Sequence, residues 1–198
     1  ICNMKTLNTY IEERLVLSKN KTREYTERPA DNEDLRKLVR DTMNAEGNKC
    51  SLNHIDVSHI TDFSMIFKNL AFDGDISEWD VSNATNMERM FEQSSFTGRN
   101  SDLTGWDVSN AKSFKGMFFN CYSLNDISFL DDLNVSNVKS MGGLFQNCIL
   151  LSDISPLESW DVSNVENMHG TFALCENLTS LKGLKSWNVG NVKTMESM

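Results

Sequence analysis

The sequence repeats itself with a fixed period of 27 residues. The motif WDVSNA at residues 79–84 returns at residues 106–111, and related hexapeptides begin at positions 133, 160 and 187. A shorter copy begins at position 55, 24 residues before the first tryptophan. A period of about 20 to 50 residues is typical of repeat proteins, in which each unit buries its apolar face against its neighbours. Residues 55–198 therefore predict five full stacked units and part of a sixth.

Apolar residues at helical spacing follow each hexapeptide. In the second full copy they are Met87, Met90 and Phe91, and positions i, i+3 and i+4 share one face of a helix. The stretch that leads into the next tryptophan is typical of a short strand or turn. Together these patterns predict an α/β repeat fold. It is a leucine-rich-repeat-like, right-handed solenoid of 24–27-residue units, each with a short parallel strand and a short helical turn.

The consensus WDVSNVxxMxxMFxxCxxL resembles the BspA-like leucine-rich-repeat surface proteins of bacteria, in their Met/Phe-rich variant. The resemblance covers about residues 30–198. It implies a non-enzymatic protein that is secreted or displayed on the bacterial surface. It also implies a protein or glycan ligand, such as one from a host, bound in an adhesion-type role. A cytoplasmic location stays open at this point.

Three segments can be distinguished along the chain. Residues 1–29 are a predicted N-terminal segment or linker, residues 30–54 a helical N-terminal cap, and residues 55–198 the repeats. Asp31 or Asn32 can cap the helix, and Gly47 suits its end. The sixth unit stops at its second methionine, so we expect the chain to continue beyond it. An uncapped last unit is also a candidate for end-to-end self-association.

The charge balance excludes one class of function. The chain has 19 Lys and Arg against 28 Asp and Glu, a formal net charge of -9. A phosphate backbone would repel such a chain, so sequence-independent nucleic-acid binding is excluded. The longest apolar runs span only a few residues, such as 148–151, whereas a membrane-spanning helix needs roughly 20. No transmembrane segment is predicted.

Polar residues that vary between units mark the predicted binding face, the one lined by strands. Repeat proteins build extended binding surfaces from such variation on a fixed scaffold. Four aspartates recur there before Ile or Leu and then Ser or Thr, which predicts an acidic strip. A merely solvated face and weak calcium sites are the alternatives. The predicted partner-binding residues are Asp75, Glu78, Asp102, Asn125, Asp126, Asp153, Ser155, Ser180 and Lys182.

Three cysteines recur at the same position of successive units. Cys121, Cys148 and Cys175 are 27 residues apart, which predicts a column. Neighbouring chains in a parallel stack lie about 4.7–4.9 Å apart, farther than the roughly 3.8 Å between the Cβ atoms of a disulfide. A reduced, buried column is therefore favoured over a strained disulfide or a soft-metal site. Cys2 and Cys50 lie outside this register and are candidates for a bridge.

Catalytic patterns are missing from the sequence. The closest approach to a metal motif is His54 and His59 on either side of Asp56, and a metal site usually needs more ligands. We therefore predict no catalytic residue, no metal and no cofactor. Two other functions remain open. The chain could be a structural spacer in a larger surface protein, or an intracellular protein-binding module of the inhibitor or immunity type.

Overall fold

A computed structural model describes residues 25–198 of the chain. The predictions for Cys2 and for most of the N-terminal segment lie outside these residues. The described part contains one α-helix, α1 (Asn32–Glu46), and three short 3₁₀-helices. We name the 3₁₀-helices η1 (Ser128–Leu130), η2 (Ser155–Leu157) and η3 (Lys182–Leu184). Turns and extended segments make up the rest.

Helix α1 packs against the first repeat unit. Its N-cap is Asp31, whose carboxylate accepts the backbone N–H groups of Glu33 and Asp34. Gly47 ends the helix at a φ of +92°, and its N–H donates to the Met43 carbonyl. The side-chain amide of Asn32 donates to the carbonyls of Asp62 and Ser64, both at 2.9 Å. These bonds, together with the buried Leu35 and Val39, join the helix to the first unit.

The predicted leucine-rich-repeat-like, right-handed solenoid of parallel strands and helical turns is wrong. Residues 25–198 contain no β-strand, and strand-type pairing is reduced to seven isolated parallel bridges. The units nevertheless stack at the predicted 24- and 27-residue spacing. Five of the bridges form one row through the units: Asp62 with Asn86, Asn86 with Ser113, Ser113 with Ser140, Ser140 with Asn167, and Asn167 with Thr194.

A run of tight turns replaces the predicted helical turn in each unit. The Met90 N–H donates to the Met87 carbonyl three residues back, whereas the Phe91 N–H crosses to the Met117 carbonyl of the next unit. Arg89, which lies between Met87 and Met90 in the sequence, has a φ of +54°. A right-handed helix cannot continue through a residue in the left-handed conformation. The same conformation recurs at Met65, Gly116, Gly143 and Gly170.

Backbone bonds between units explain why turns form instead of a helix. Every second backbone N–H group of a turn run donates to a carbonyl of the following unit. The bond at the phenylalanine position recurs in three successive units, at 2.8 to 2.9 Å: Phe91 to Met117, Phe118 to Leu144, and Phe145 to Thr171. A helix would use these groups within its own unit. The turn run thus satisfies the buried backbone groups by pairing them between neighbours.

Side-chain columns complete the stack. Five phenylalanine rings lie parallel, with centroids 5.1 to 5.7 Å apart and planes within 9°. Buried indole N–H groups donate to backbone carbonyls of the preceding unit, as Trp160 does to Leu130 at 3.1 Å. Asparagine amides do the same on the exposed side, as Asn137 does to Ser109 at 2.8 Å. The phenylalanine column is Phe67, Phe91, Phe118, Phe145 and Phe172.

Candidate functional site

Short Asp-x-Ser/Thr turns hold the four predicted aspartates in place. The Asp102 carboxylate accepts the Thr104 hydroxyl at 2.7 Å and the Thr104 N–H at 3.1 Å. Asp126 accepts the Ser128 N–H at 2.9 Å. These bonds favour the charged carboxylate and lower the pKa of both aspartates below the ordinary value. Both side chains therefore stay negative into mildly acidic solution.

Asp102 and Asp126 line a common groove of about 370 Å³. They share it with Thr104 and Ser128, which close their turns, and with Phe129 at the base. The groove lies between neighbouring units at the point where η1 begins. Of the predicted partner-binding residues, the structure brings these two aspartates to one site.

Gly98 allows Phe129 to pack under the groove. Its φ is +75°, and a Cβ added there would lie 2.1 Å from the Phe129 ring. The ring also meets Phe96 edge-on, at a centroid distance of 5.6 Å. The base of the groove is thus fixed by a glycine and two aromatic side chains.

Arg99 is a lining residue that the sequence interpretation missed. One guanidinium nitrogen donates to the Asn125 side-chain oxygen at 3.3 Å, and the positive charge contributes to the lowered pKa of Asp126. The recurring pattern gave no signal for it, because the acid that precedes Asp126 in that series is Asp102, and Arg99 lies outside the series. The groove combines two carboxylates with one guanidinium instead of being purely acidic.

Two predicted residues near the first unit serve its packing. Asp75 is half-buried, bridges to Ser51, and accepts the Asn53 side-chain amide at 2.7 Å. The Glu78 N–H donates to the other end of the same amide at 3.0 Å. These two residues lie outside the groove of Asp102 and Asp126.

The remaining predicted residues lie along the fourth and fifth units. Asp153 accepts both the N–H and the hydroxyl of Ser155, at 2.8 and 3.0 Å. The Ser180 hydroxyl accepts the Lys182 N–H at 3.4 Å. All four residues are exposed. They continue the varied surface without lining the groove.

The histidines do not converge with other metal ligands. His59 lies with Nε2 2.7 Å from the Pro29 carbonyl oxygen. Asp56 forms an ion pair with Arg28 and accepts the Ser58 hydroxyl. In the described part of the chain, no cluster of three or more His, Cys, Asp or Glu side chains could hold a metal ion.

The cysteine column is buried and hydrogen-bonded. The thiols of Cys121, Cys148 and Cys175 donate to carbonyls of the preceding unit at 2.9 to 3.2 Å. They and the buried Cys50 are free thiols; the bridge predicted from Cys50 to Cys2 involves a residue outside the described part. Burial raises the pKa of Cys121 to about 12 and that of Cys175 to about 11. The pKa of Cys148 is raised further, by burial and by its two neighbours.

These thiols predict a loss of stability in alkaline solution. A thiol ordinarily ionises near 9.0, so above that pH the unfolded chain releases protons that the folded chain retains. The free energy of unfolding is therefore complete below about pH 9 and falls as the pH rises toward 11 and 12. The urea midpoint should fall between pH 8 and pH 11, and by less in a Cys121→Ala/Cys175→Ala variant. An equal fall of the urea midpoint with pH in the two proteins would contradict the role given to the buried thiols.

No helix among residues 25–198 is long and apolar enough to span a membrane.

The geometry defines a class of protein: stacked repeat units with a fixed interior and exposed positions that differ between units. The sequence matches the family described as "Mycoplasma protein of unknown function, DUF285" over residues 33–148 and again over 126–198. The chain belongs to this family. No curated protein and no solved structure matches the chain.

Proposed function

We propose that this chain is a non-enzymatic recognition module, secreted or displayed on the bacterial surface, that binds a protein or glycan ligand. The observation that carries the proposal is the division between interior and surface. Buried positions repeat the same chemistry from unit to unit, whereas exposed positions after the turn runs change in charge and size. A fixed interior with a varied face is how repeat proteins build extended binding surfaces.

Two further points support a surface role. The WDVSN consensus resembles BspA-like surface proteins, and membership of the DUF285 family is consistent with that resemblance. The groove of Asp102, Asp126 and Arg99 offers fixed charges of both signs at one place. We therefore propose a partner that presents a basic group beside an acidic or polar one, as protein surfaces do.

Protease shaving of intact source cells tests the location. We expect peptides from residues 55–198 to be released without a cytosolic marker. Their absence, with the protein abundant in the lysate, would exclude surface display. It would then favour an intracellular protein-binding module, a function that the free thiols of Cys50, Cys121, Cys148 and Cys175 support.

Charge removal tests the binding face. Asp102, Asp126 and Asp153 are changed together to Asn, which keeps a side-chain oxygen for each turn. The control changes Asp80, Asp107 and Asp161 to Asn, because these accept serine N–H groups in the same way elsewhere in the units. Both variants gain three charge units. We expect binding to a panel of immobilised extracellular proteins and glycans to fall at least about tenfold in the first variant alone.

Equal binding by both variants and the unchanged protein would exclude the acidic face. Shortening the chain by one 27-residue unit then distinguishes a ligand-binding module from a structural spacer. Full function of the larger protein after such shortening, with no ligand found, would indicate a structural spacer.

A further inference from the structure

A second groove, of about 300 Å³, opens over the turn runs of units two to five. Its lining shares no residue with the groove of Asp102 and Asp126. The proposed function does not use it. Its walls contain Arg89, Lys115, Phe119, Gln146 and His169, and its floor is formed by glycines.

Glycines create this groove by removing side chains from one column. The first two units carry Met65 and Arg89 at the left-handed position, and the next three carry Gly116, Gly143 and Gly170. Because Met65 and Arg89 adopt the same conformation, the backbone does not demand glycine there. A Cβ on Gly143 would lie 3.3 Å from the Gln146 side-chain oxygen and 3.7 Å from the Phe119 ring. The floor is open because these side chains are missing.

Several polar groups around the floor have no partner within the described residues. The Gln146 amide is half-buried, and the Lys115 ammonium and His169 ring are exposed. None of the three side chains forms a hydrogen bond or ion pair with residues 25–198. Side-chain amides that are partly withdrawn from water are usually hydrogen-bonded. Their donors and acceptors are therefore available to a ligand.

The groove is positively charged on an acidic protein. Arg89 and Lys115 line it together with one carboxylate, that of Glu92. Glu92 is buried and already neutralised by Lys68 at 3.0 Å and by Arg89 at 3.5 Å. Lys115 is thus left as an unpaired cation, whereas the whole chain has a formal net charge of -9. This charge favours an anionic ligand.

The shape and the remaining groups specify the ligand further. Binding pockets combine apolar or aromatic walls with a few placed polar groups. Here an aromatic side chain, Phe119, stands beside a floor without side chains, which leaves room for a ring. The Gln146 amide can both donate to and accept from hydroxyl groups. A ring with hydroxyls and one negative charge satisfies all of these features.

We infer that this groove binds a sugar ring that carries a carboxylate. The Lys115 ammonium pairs with the carboxylate, the Gln146 amide bonds to ring hydroxyls, and the ring rests over the glycine floor beside Phe119. A free uronic acid and a uronate residue of an acidic glycan share this chemistry.

Titration of the full chain with small probes tests the inference. We expect glucuronate to cause saturable NMR shift changes, with an affinity at least about tenfold above those of glucose and acetate. Glucose lacks the charge and acetate lacks the ring, so equal affinity for either one would overturn the proposal. A short glutamate peptide that binds as tightly as glucuronate would also overturn it, in favour of an acidic protein segment.

Matched variants locate the site. Lys115→Met should weaken glucuronate binding at least about fivefold. Lys112→Met, which removes a charge from the same unit outside the groove, should leave binding unchanged. Gly143→Ala should also weaken binding, with folding checked by circular dichroism, since Arg89 shows that a side chain tolerates this conformation. Binding unaffected by both Lys115→Met and Gly143→Ala would contradict the assignment.

One further arm distinguishes the source of the uronate. A uronate-containing tetrasaccharide that binds more tightly than glucuronate indicates a residue within a glycan. Equal affinity indicates a free or terminal sugar. Both results support the uronate site, and tetrasaccharide binding that Lys115→Met leaves unchanged would overturn it.

Discussion

Replacing Phe118 with alanine should lower the free energy of unfolding by about 3–5 kcal/mol. Its ring is 1% exposed and lies parallel to Phe91 and Phe145, at centroid distances of 5.3 and 5.6 Å. The substitution therefore opens a cavity in the middle of the column and removes three ring contacts at once, because Phe118 also meets Phe129 edge-on. Neighbouring backbones are tied together by hydrogen bonds, so the cavity cannot close by collapse.

Urea unfolding followed by circular dichroism and tryptophan fluorescence measures this loss. The control is Tyr122→Ala, four residues away, where the ring is 48% exposed and the cost should stay below about 1 kcal/mol. The two signals must coincide for the energies to be comparable, because repeat arrays can unfold in parts. A loss below about 1.5 kcal/mol for Phe118→Ala would show that the column is not tightly packed.

Gly183→Ala should also be strongly destabilising, by a backbone clash instead of a cavity. Gly183 is the central residue of η3, which packs on η2 of the preceding unit. An added Cβ would lie 2.0 Å from the Ile154 carbonyl oxygen and 2.6 Å from its carbon. Such a contact forces the two units apart, and we expect a loss of about 1–3 kcal/mol or more.

Gly105→Ala provides the matched control for this prediction. No atom lies within 4 Å of a Cβ added at Gly105, and its φ is not in the left-handed region. Alanine there should be neutral or slightly stabilising, since it restricts the unfolded chain. Thermal denaturation of both variants measures the difference, and equal melting temperatures would contradict the close approach of η3 to Ile154.

Repeat positions could be predicted from the sequence because stacked units must place like residues together. The Cys121 column follows from the period of 27, and the phenylalanine column from the same period after one step of 24 residues. The capping role of Asp31 could be predicted because it depends on local hydrogen bonding. The groove around Asp102 was not predicted as such; the sequence showed only that its two aspartates, Asp102 and Asp126, recur.

The conformation within each unit could not be predicted in the same way. Met87, Met90 and Phe91 have helical spacing, but the hydrogen bonds between units decide the backbone, and these depend on neighbours 24 to 27 residues away. Arg89 in a left-handed conformation gives no local signal, because only glycine is strongly associated with that region. Arg99 could not be predicted from the acids that recur, because it is a basic residue outside that series and reaches the groove only through the fold.

The alternating backbone bonds described above connect each unit only to the units before and after it. Amide exchange should therefore report a row of coupled blocks, with protection greatest in the middle units and lower towards the ends. An opening at the centre would leave two shorter stacks, each still holding its own internal bonds. Damage to one unit thus has a local effect, and the protein loses its order in steps whose size is set by the repeat.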